Sequence, residues 1–226
     1  MTYPAALMSA GLHLPSLFFI AVAGSTAARA DSWANPQVRE IFSASRDHFV
    51  RVIPGTNLGD TSGFEGAPKG ANATAEFYRR QPDRSYRLTA TATLLNPVAP
   101  VDIFVSDEGR LVTVDNWHNR GYGKVLAIYD DAGKPVRAYA LADLFAKTEV
   151  DAYPHSVSSI AWHQGPVYIN RDQRTLYLMI ASGRDMVIGL QSGRYAYCET
   201  RAGKYLCRNS NADRRWLPYS EAVPQR

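Results

Sequence analysis

Short runs in which apolar and polar side chains alternate recur along most of this chain, and turn-forming residues separate them. Examples are Phe49 to Ile53, Leu111 to Val114 and Thr175 to Ala181. Alternation with a period of two is typical of β-strands, and the connections are too short for the crossovers that parallel strands need. The pattern therefore predicts an all-β fold of about thirteen antiparallel strands. We expect one short helix, near 141–147.

The strands are arranged in a loose repeat of four, at 38–95, at 100–141 and less regularly at 157–199. The last group is expected to begin with a strand at Val157 to Trp162. Each group would form one antiparallel meander that resembles a propeller blade. Closed propellers have about four to eight blades, and this chain has enough strands for about three. We therefore expect an open or partial propeller, or a sandwich, with the tail after Arg208 lying over one edge and Trp216 as its anchor.

One stretch carries a resemblance to known proteins. Within 101–141, the run S-D-E-G-R-L-V is followed by I-Y-D-D-A-G-K, and this pair resembles the repeats of YVTN-type bacterial propellers. The region after residue 30 is also similar to uncharacterised exported bacterial proteins that contain the segment D-N-W-H-x-x-G-Y-G, here residues 115–123. The resemblance implies blade-like repeats and export, and it implies no particular activity.

The first thirty residues have the pattern of a secretory signal peptide. Leu14 to Gly24 is an apolar run, and Ala28-Arg29-Ala30 places small residues at the cleavage positions. The run is shorter than the roughly twenty residues that cross a bilayer. We predict a signal peptide at 1–30, a single β-rich domain at 31–226, and export to the periplasm or beyond. An uncleaved anchor or a buried helix is the alternative. No other segment is long and apolar enough to span a membrane.

The two cysteines, Cys198 and Cys207, lie in two strand-like runs on either side of Gly203. A hairpin centred between Ala202 and Gly203 places them opposite each other. Their Cα atoms would then be about 4.5 Å apart, which a disulfide tolerates. Because they form no C-x-x-C motif, we predict a structural disulfide rather than a redox pair.

Charge argues against one class of partner. Lysine and arginine total 25 against 21 acidic residues, and the calculated pI is near 9.1. The basic residues are dispersed among acidic ones, and the longest basic runs are pairs such as Arg79-Arg80. We therefore expect no nucleic-acid partner.

The loops allow a candidate binding surface to be predicted. In an up-and-down sheet, alternate connections emerge at the same end. If neighbouring blades pack side by side, the loops 54–72, 115–123 and 142–156 lie at one end, and we call these three segments the rim. The candidate ligand-binding residues on the rim are Asp115, Asn116, Trp117, His118, Tyr122 and His155.

Each candidate residue also has a purely structural interpretation. Asp115 and Asn116 could cap a strand, because short polar side chains bond to the local backbone. Trp117 could cover the apolar end of a sheet. The glycine-rich loop 54–72 does not have the G-x-x-x-x-G-K-[ST] pattern of a phosphate loop. A long loop of this kind is either a mobile connection or a cover for the rim.

Two functions from different classes follow. The first is a non-catalytic exported domain that binds an unknown protein or a small-molecule ligand through the rim, with no cofactor and no metal. The second is a metal-assisted hydrolase that uses Asp115, His118 and His155. A third expectation concerns assembly, since an open sheet edge could pair with a second copy of the chain.

Overall fold

The strands form three separate antiparallel sheets, which we call blades 1, 2 and 3. The computed structural model describes residues 33–209 and 215–222, so the predicted signal peptide lies outside the described residues. Blade 1 contains β1 Arg39–Phe42, β2 His48–Ile53, β3 Thr74–Arg80 and β4 Tyr86–Thr93. Blade 2 contains β5 Pro100–Val105, β6 Leu111–Asn116, β7 Leu126–Tyr129 and β8 Pro135–Tyr139. Blade 3 contains β9 His163–Ile169, β10 Thr175–Ile180, β11 Asp185–Gly189, β12 Tyr195–Arg201, β13 Lys204–Arg208 and β14 Leu217–Pro218.

The strands follow one another in sequence order across each sheet, so every blade is a simple meander. All strand pairs are antiparallel, as the short connections require. The predicted all-β fold of three blade-like units is confirmed for the described residues. Asp31–Arg226 forms one compact unit.

Blade 2 lies between the other two sheets. Every residue of β6 and β7 is buried, which explains why β7 is wholly apolar, whereas β6 also buries the polar residues Thr113, Asp115 and Asn116. One core joins blade 1 to blade 2, and includes Val50, Phe77 and Leu111. A larger core joins blade 2 to blade 3, and includes Val112 and Leu176. The apolar faces of the three sheets are thus buried against each other in series rather than around a closed ring.

The outer face of blade 3 is covered by the end of the chain. Leu217 pairs with Cys207 at the edge of the sheet, and the short helix α3, Tyr219–Ala222, follows it. The ring of Trp216 lies 4.1 Å from the guanidinium carbon of Arg201. The C-terminal segment therefore lies at the sheet edge with Trp216 as its anchor, as predicted.

The predicted disulfide is present. Cys198 and Cys207 are bonded and lie directly opposite each other in the β12–β13 ladder, with their Cα atoms 4.0 Å apart. Ala202 and Gly203 both have positive φ angles, of 47° and 73°. Two successive left-handed residues are the signature of the tight hairpin turn that fixes this register.

The helical region differs in detail from the expectation. It consists of two single turns, α1 Leu141–Leu144 and α2 Lys147–Val150. Between them, Phe145 adopts an extended conformation and is buried in the larger core, where its ring packs against Tyr153 and Trp162. Burial of this one side chain interrupts the helix.

The expected strand at Val157 to Trp162 is wrong. The segment is a loop that makes only isolated bridges, and β9 begins at His163. Ile160 and Trp162 are buried because they insert into the core between blades 2 and 3, not because they alternate along a ladder. No helix among the described residues is long and apolar enough to cross a membrane.

Candidate functional site

The structure places the three rim segments next to each other. Asp60 and Thr61 line a cleft of about 290 Å³ together with Asn116 and Tyr122 of the second segment. The ring of Phe64 lies 5.4 Å from that of His118. The third segment continues directly into 157–163, which also packs on the second segment through a backbone hydrogen bond from Ile160 to Arg120.

Asp115 is the centre of the hydrogen-bond network at the rim. Its side chain is fully buried, and its φ of 58° lies in the left-handed region, which aspartate tolerates better than most residues. Atom Oδ1 accepts hydrogen bonds from the Gly121 amide, at 2.9 Å, and from Trp162 Nε1, at 2.8 Å. Atom Oδ2 lies 3.0 Å from His163 Nε2 and 3.4 Å from Arg120 Nε. The carboxylate therefore joins four groups and orients the ring of His163.

The loop after β6 is shaped by its own residues. Gly121 has a φ of 81°, and a Cβ atom at this position would lie 2.6 Å from Cβ of Ile160. Only glycine permits both this conformation and this approach. The side chain of Asn116 donates to the carbonyl oxygens of Tyr122 and Lys124, at 2.7 and 3.1 Å. Asn116 thus holds the loop to the end of β6 by hydrogen bonds to the backbone, which agrees with its structural interpretation as a strand cap.

Trp117 and His118 are covered by the segment that precedes β1. Trp117 Nε1 donates to the Ala34 carbonyl at 2.9 Å. The Trp33 ring lies 5.4 Å from that of Trp117 and 5.9 Å from that of His118. Burial here lowers the pKa of His118 below its ordinary value, because the protonated form loses hydration. The surfaces that we expected to face a ligand are therefore in contact with the protein's own chain.

A second cleft at the rim, of about 470 Å³, lies between Arg120 and the segment that leads into β9. We call it the His163 cleft. Its lining residues are Trp33, Arg120, Ser156, Ser159, Ile160, Ala161, Trp162 and His163. Two buried polar atoms of this lining, Trp33 Nε1 and His163 Nδ1, have no hydrogen-bond partner in the described part of the chain. The site thus combines an unpaired donor with an unpaired ring nitrogen.

The contacts of His163 indicate which ring nitrogen carries a proton. A carboxylate oxygen 3.0 Å from Nε2 requires a proton on that nitrogen. In the neutral ring, Nδ1 is then an acceptor. Arg120 Nη2 lies 3.3 Å from the same Nε2 and cannot donate to a protonated nitrogen. The guanidinium group, whose side chain is 41% exposed, therefore retains N–H groups that can bind a ligand.

The residues named for a metal-assisted hydrolase do not come together. His155 is exposed and lines neither rim cleft, and its Nε2 lies 3.2 Å from the Val150 carbonyl. Both oxygens of Asp115 are engaged by protein groups. Across residues 33–209 and 215–222, no three side chains of His, Cys, Asp or Glu are arranged to hold a metal ion. Asp115, His118 and His155 thus do not form one ligand set.

Sequence reasoning missed His163, Arg120, Trp162 and Trp33. His163 was overlooked because the segment before it was expected to be a strand of blade 3. Arg120 belongs to the predicted rim segment, and a charged residue between Asp115 and Gly121 could have been singled out. No sequence pattern indicates that Trp33 returns to the rim, because this contact is purely tertiary.

No protein-family model matches the chain, and no curated protein matches it.

Proposed function

We propose that the chain is an exported, non-catalytic β-domain that binds a small polar ligand in the His163 cleft. The observation that carries this proposal is the pair of unpartnered buried atoms, Trp33 Nε1 and His163 Nδ1, in the lining of one cleft. A buried polar group without a partner costs about 1–3 kcal/mol. A ligand that bonds to both atoms would remove that cost, and this gain supports binding at the cleft.

The unpaired groups define the chemistry of the ligand. In the neutral ring of His163, Nδ1 accepts a hydrogen bond, so the ligand needs a hydroxyl or amine donor. Trp33 Nε1 donates, and Arg120 adds a positive charge, so the ligand also needs an anionic oxygen. A small hydroxy acid, amino acid or sugar acid meets both needs. The volume of about 470 Å³ lies within the range of small-molecule sites.

Ligand entry requires a local movement of the chain. Both unpaired atoms are buried, so a ligand reaches them only when Trp33 shifts. Residues 33–38 belong to no strand, and the ring of Trp33 contacts the rings of Trp117 and His118. On this proposal, Trp117 and His118 hold Trp33 over the cleft and do not contact the ligand themselves.

Export is proposed on two grounds. The Cys198–Cys207 disulfide fits an oxidising compartment, where such bonds persist. The apolar run at Leu14 to Gly24 and its cleavage pattern predict a signal peptide. Membership of the exported bacterial family with YVTN-type repeats is proposed on the same sequence likeness, and edge pairing with a second copy stays a prediction.

The binding proposal is tested by ligand-detected NMR with hydroxy acids, amino acids and sugar acids. We expect at least one class to bind the wild-type protein. His163→Ala and Trp33→Phe should each weaken that binding by about tenfold, which corresponds to one lost hydrogen bond of about 1.4 kcal/mol. Trp33→Phe keeps an aromatic ring and removes the donor nitrogen together with the five-membered ring that carries it. His155→Ala is the matched control and should bind as the wild type does.

Circular dichroism establishes that each variant is folded before binding is compared. Failure of the wild type to bind any of the three classes would overturn the proposal, and so would equal binding by all variants. Conversion of the bound compound, lost in His163→Ala, would instead favour catalysis with His163 as a base oriented by Asp115.

A further inference from the structure

A further cleft lies away from the rim, at the opposite end of blade 1. It has a volume of about 570 Å³ and is formed by the β1–β2 and β3–β4 turns. Its lining residues are Asp47, Arg79, Arg80, Gln81, Pro82, Arg84 and Arg87. Four guanidinium groups thus surround a cleft that has a single carboxylate. We call it the arginine cleft.

Within residues 33–209 and 215–222, these four arginines have no partner for their charge. Among the described residues, none of their guanidinium groups makes a hydrogen bond or an ion pair, and neither does the carboxylate of Asp47. Asp83, in the same turn, is bound by the amide and hydroxyl of Ser85, at 2.9 and 2.6 Å. In the part of the chain that the structure describes, no ion pair therefore balances the four guanidinium charges of the cleft.

The strand register makes this arrangement unfavourable in the absence of an anion. Arg79 lies directly opposite Arg87 in the β3–β4 ladder. Like charges at opposed positions of an antiparallel pair destabilise the sheet. Elsewhere in blade 1, the charge of Arg51 is balanced by two acidic residues. Its guanidinium group lies 2.7 Å from the carboxylate of Glu40 and 3.3 Å from that of Glu76. The facing pair Arg79 and Arg87 has no such acidic partner among the described residues.

We propose that the arginine cleft binds the phosphate group of a phosphorylated ligand. The planar guanidinium fork matches the oxygens of a phosphate and binds them through two parallel hydrogen bonds. One phosphate between Arg79 and Arg87 would relieve their repulsion, and Arg80 and Arg84 would complete the shell of donors. The same chemistry is presented by a soluble phosphate compound and by the headgroup of an anionic phospholipid.

Isothermal titration calorimetry with inorganic phosphate and pyrophosphate tests the proposal at low salt, where exposed charges are least screened. The full chain is compared with Arg84→Gln/Arg87→Gln, which removes two exposed charges from the cleft. The matched control is Arg171→Gln/Arg174→Gln, which removes two exposed arginine charges from the β9–β10 turn. We expect the cleft variant to bind pyrophosphate at least about tenfold more weakly and the control to bind as the wild type does.

Sedimentation with vesicles separates the two sources of phosphate. Binding to phosphatidylglycerol vesicles but not to phosphatidylcholine vesicles, lost in the cleft variant, identifies a lipid headgroup. Binding of free pyrophosphate without vesicle binding identifies a soluble ligand. The proposal is overturned if neither binds, or if the cleft variant and the control are weakened equally, because net charge alone would then explain the effect.

Discussion

At the residue scale, Asp115 shows how a candidate ligand contact can serve the fold and the site together. The D-N-W-H segment predicted that Asp115 lies at the rim, and the structure places it there. Its burial and its bonds to Trp162 and His163 could not be predicted, because both partners are more than forty residues away in the sequence. Sequence reasoning therefore placed Asp115 at the rim but did not give its hydrogen-bond partners.

This position gives a test of stability. Asp115→Ala should lower the free energy of unfolding by about 3 kcal/mol, because it leaves Trp162 Nε1 and the Gly121 amide buried without an acceptor. Asp115→Asn should lower it by less, since the amide oxygen still accepts and asparagine tolerates a positive φ. Chemical denaturation measures both values. Asp131→Ala, at an exposed turn, is the control. An equal loss in Asp115→Ala and the control would refute the role of Asp115.

At the scale of elements, the turns predicted the blades well. Each four-strand unit of blades 1 and 2 was visible because its turns contain Asp, Gly, Pro or Ser in positions that favour reversal. The segment 157–162 was misassigned because Val157, Ile160 and Trp162 have the composition of a strand. Tertiary packing decides its conformation, and local sequence does not report that packing.

The disulfide gives a prediction at this scale. The double variant Cys198→Ser/Cys207→Ser should lose about 2.5 kcal/mol of stability, because the bond no longer restricts the unfolded chain across a short loop. Chemical denaturation of the variant and of the reduced wild type should give the same loss. In the order of strands across blade 3, β9 and the His163 cleft lie at the opposite side from this hairpin, so ligand binding in that cleft should be unchanged. A variant as stable as the oxidised wild type would show that the bond does not stabilise the hairpin.

At the scale of the whole molecule, the three sheets form a series in which blade 2 is buried on both faces. The repeat predicted the number of blades and the packing of adjacent loops at one end. Neither the His163 cleft nor the arginine cleft could be predicted from the repeat. The first needs Trp33 to fold back onto the rim, and the second depends on the register that sets Arg79 opposite Arg87.

The central claim is that a ligand bonds to His163 Nδ1, and nitrogen NMR of the histidine rings tests it most directly. The titrant is the tightest-binding acid from the screen, added to ¹⁵N-histidine-labelled protein, with His163→Ala used to assign the signal. We predict that the chemical shift of His163 Nδ1 changes when the protein is saturated with ligand. The chemical shift of Nε2 should stay the same, because Nε2 keeps its hydrogen bond to Asp115. An unchanged Nδ1 resonance at saturation would contradict the account, since the ligand would then bind elsewhere.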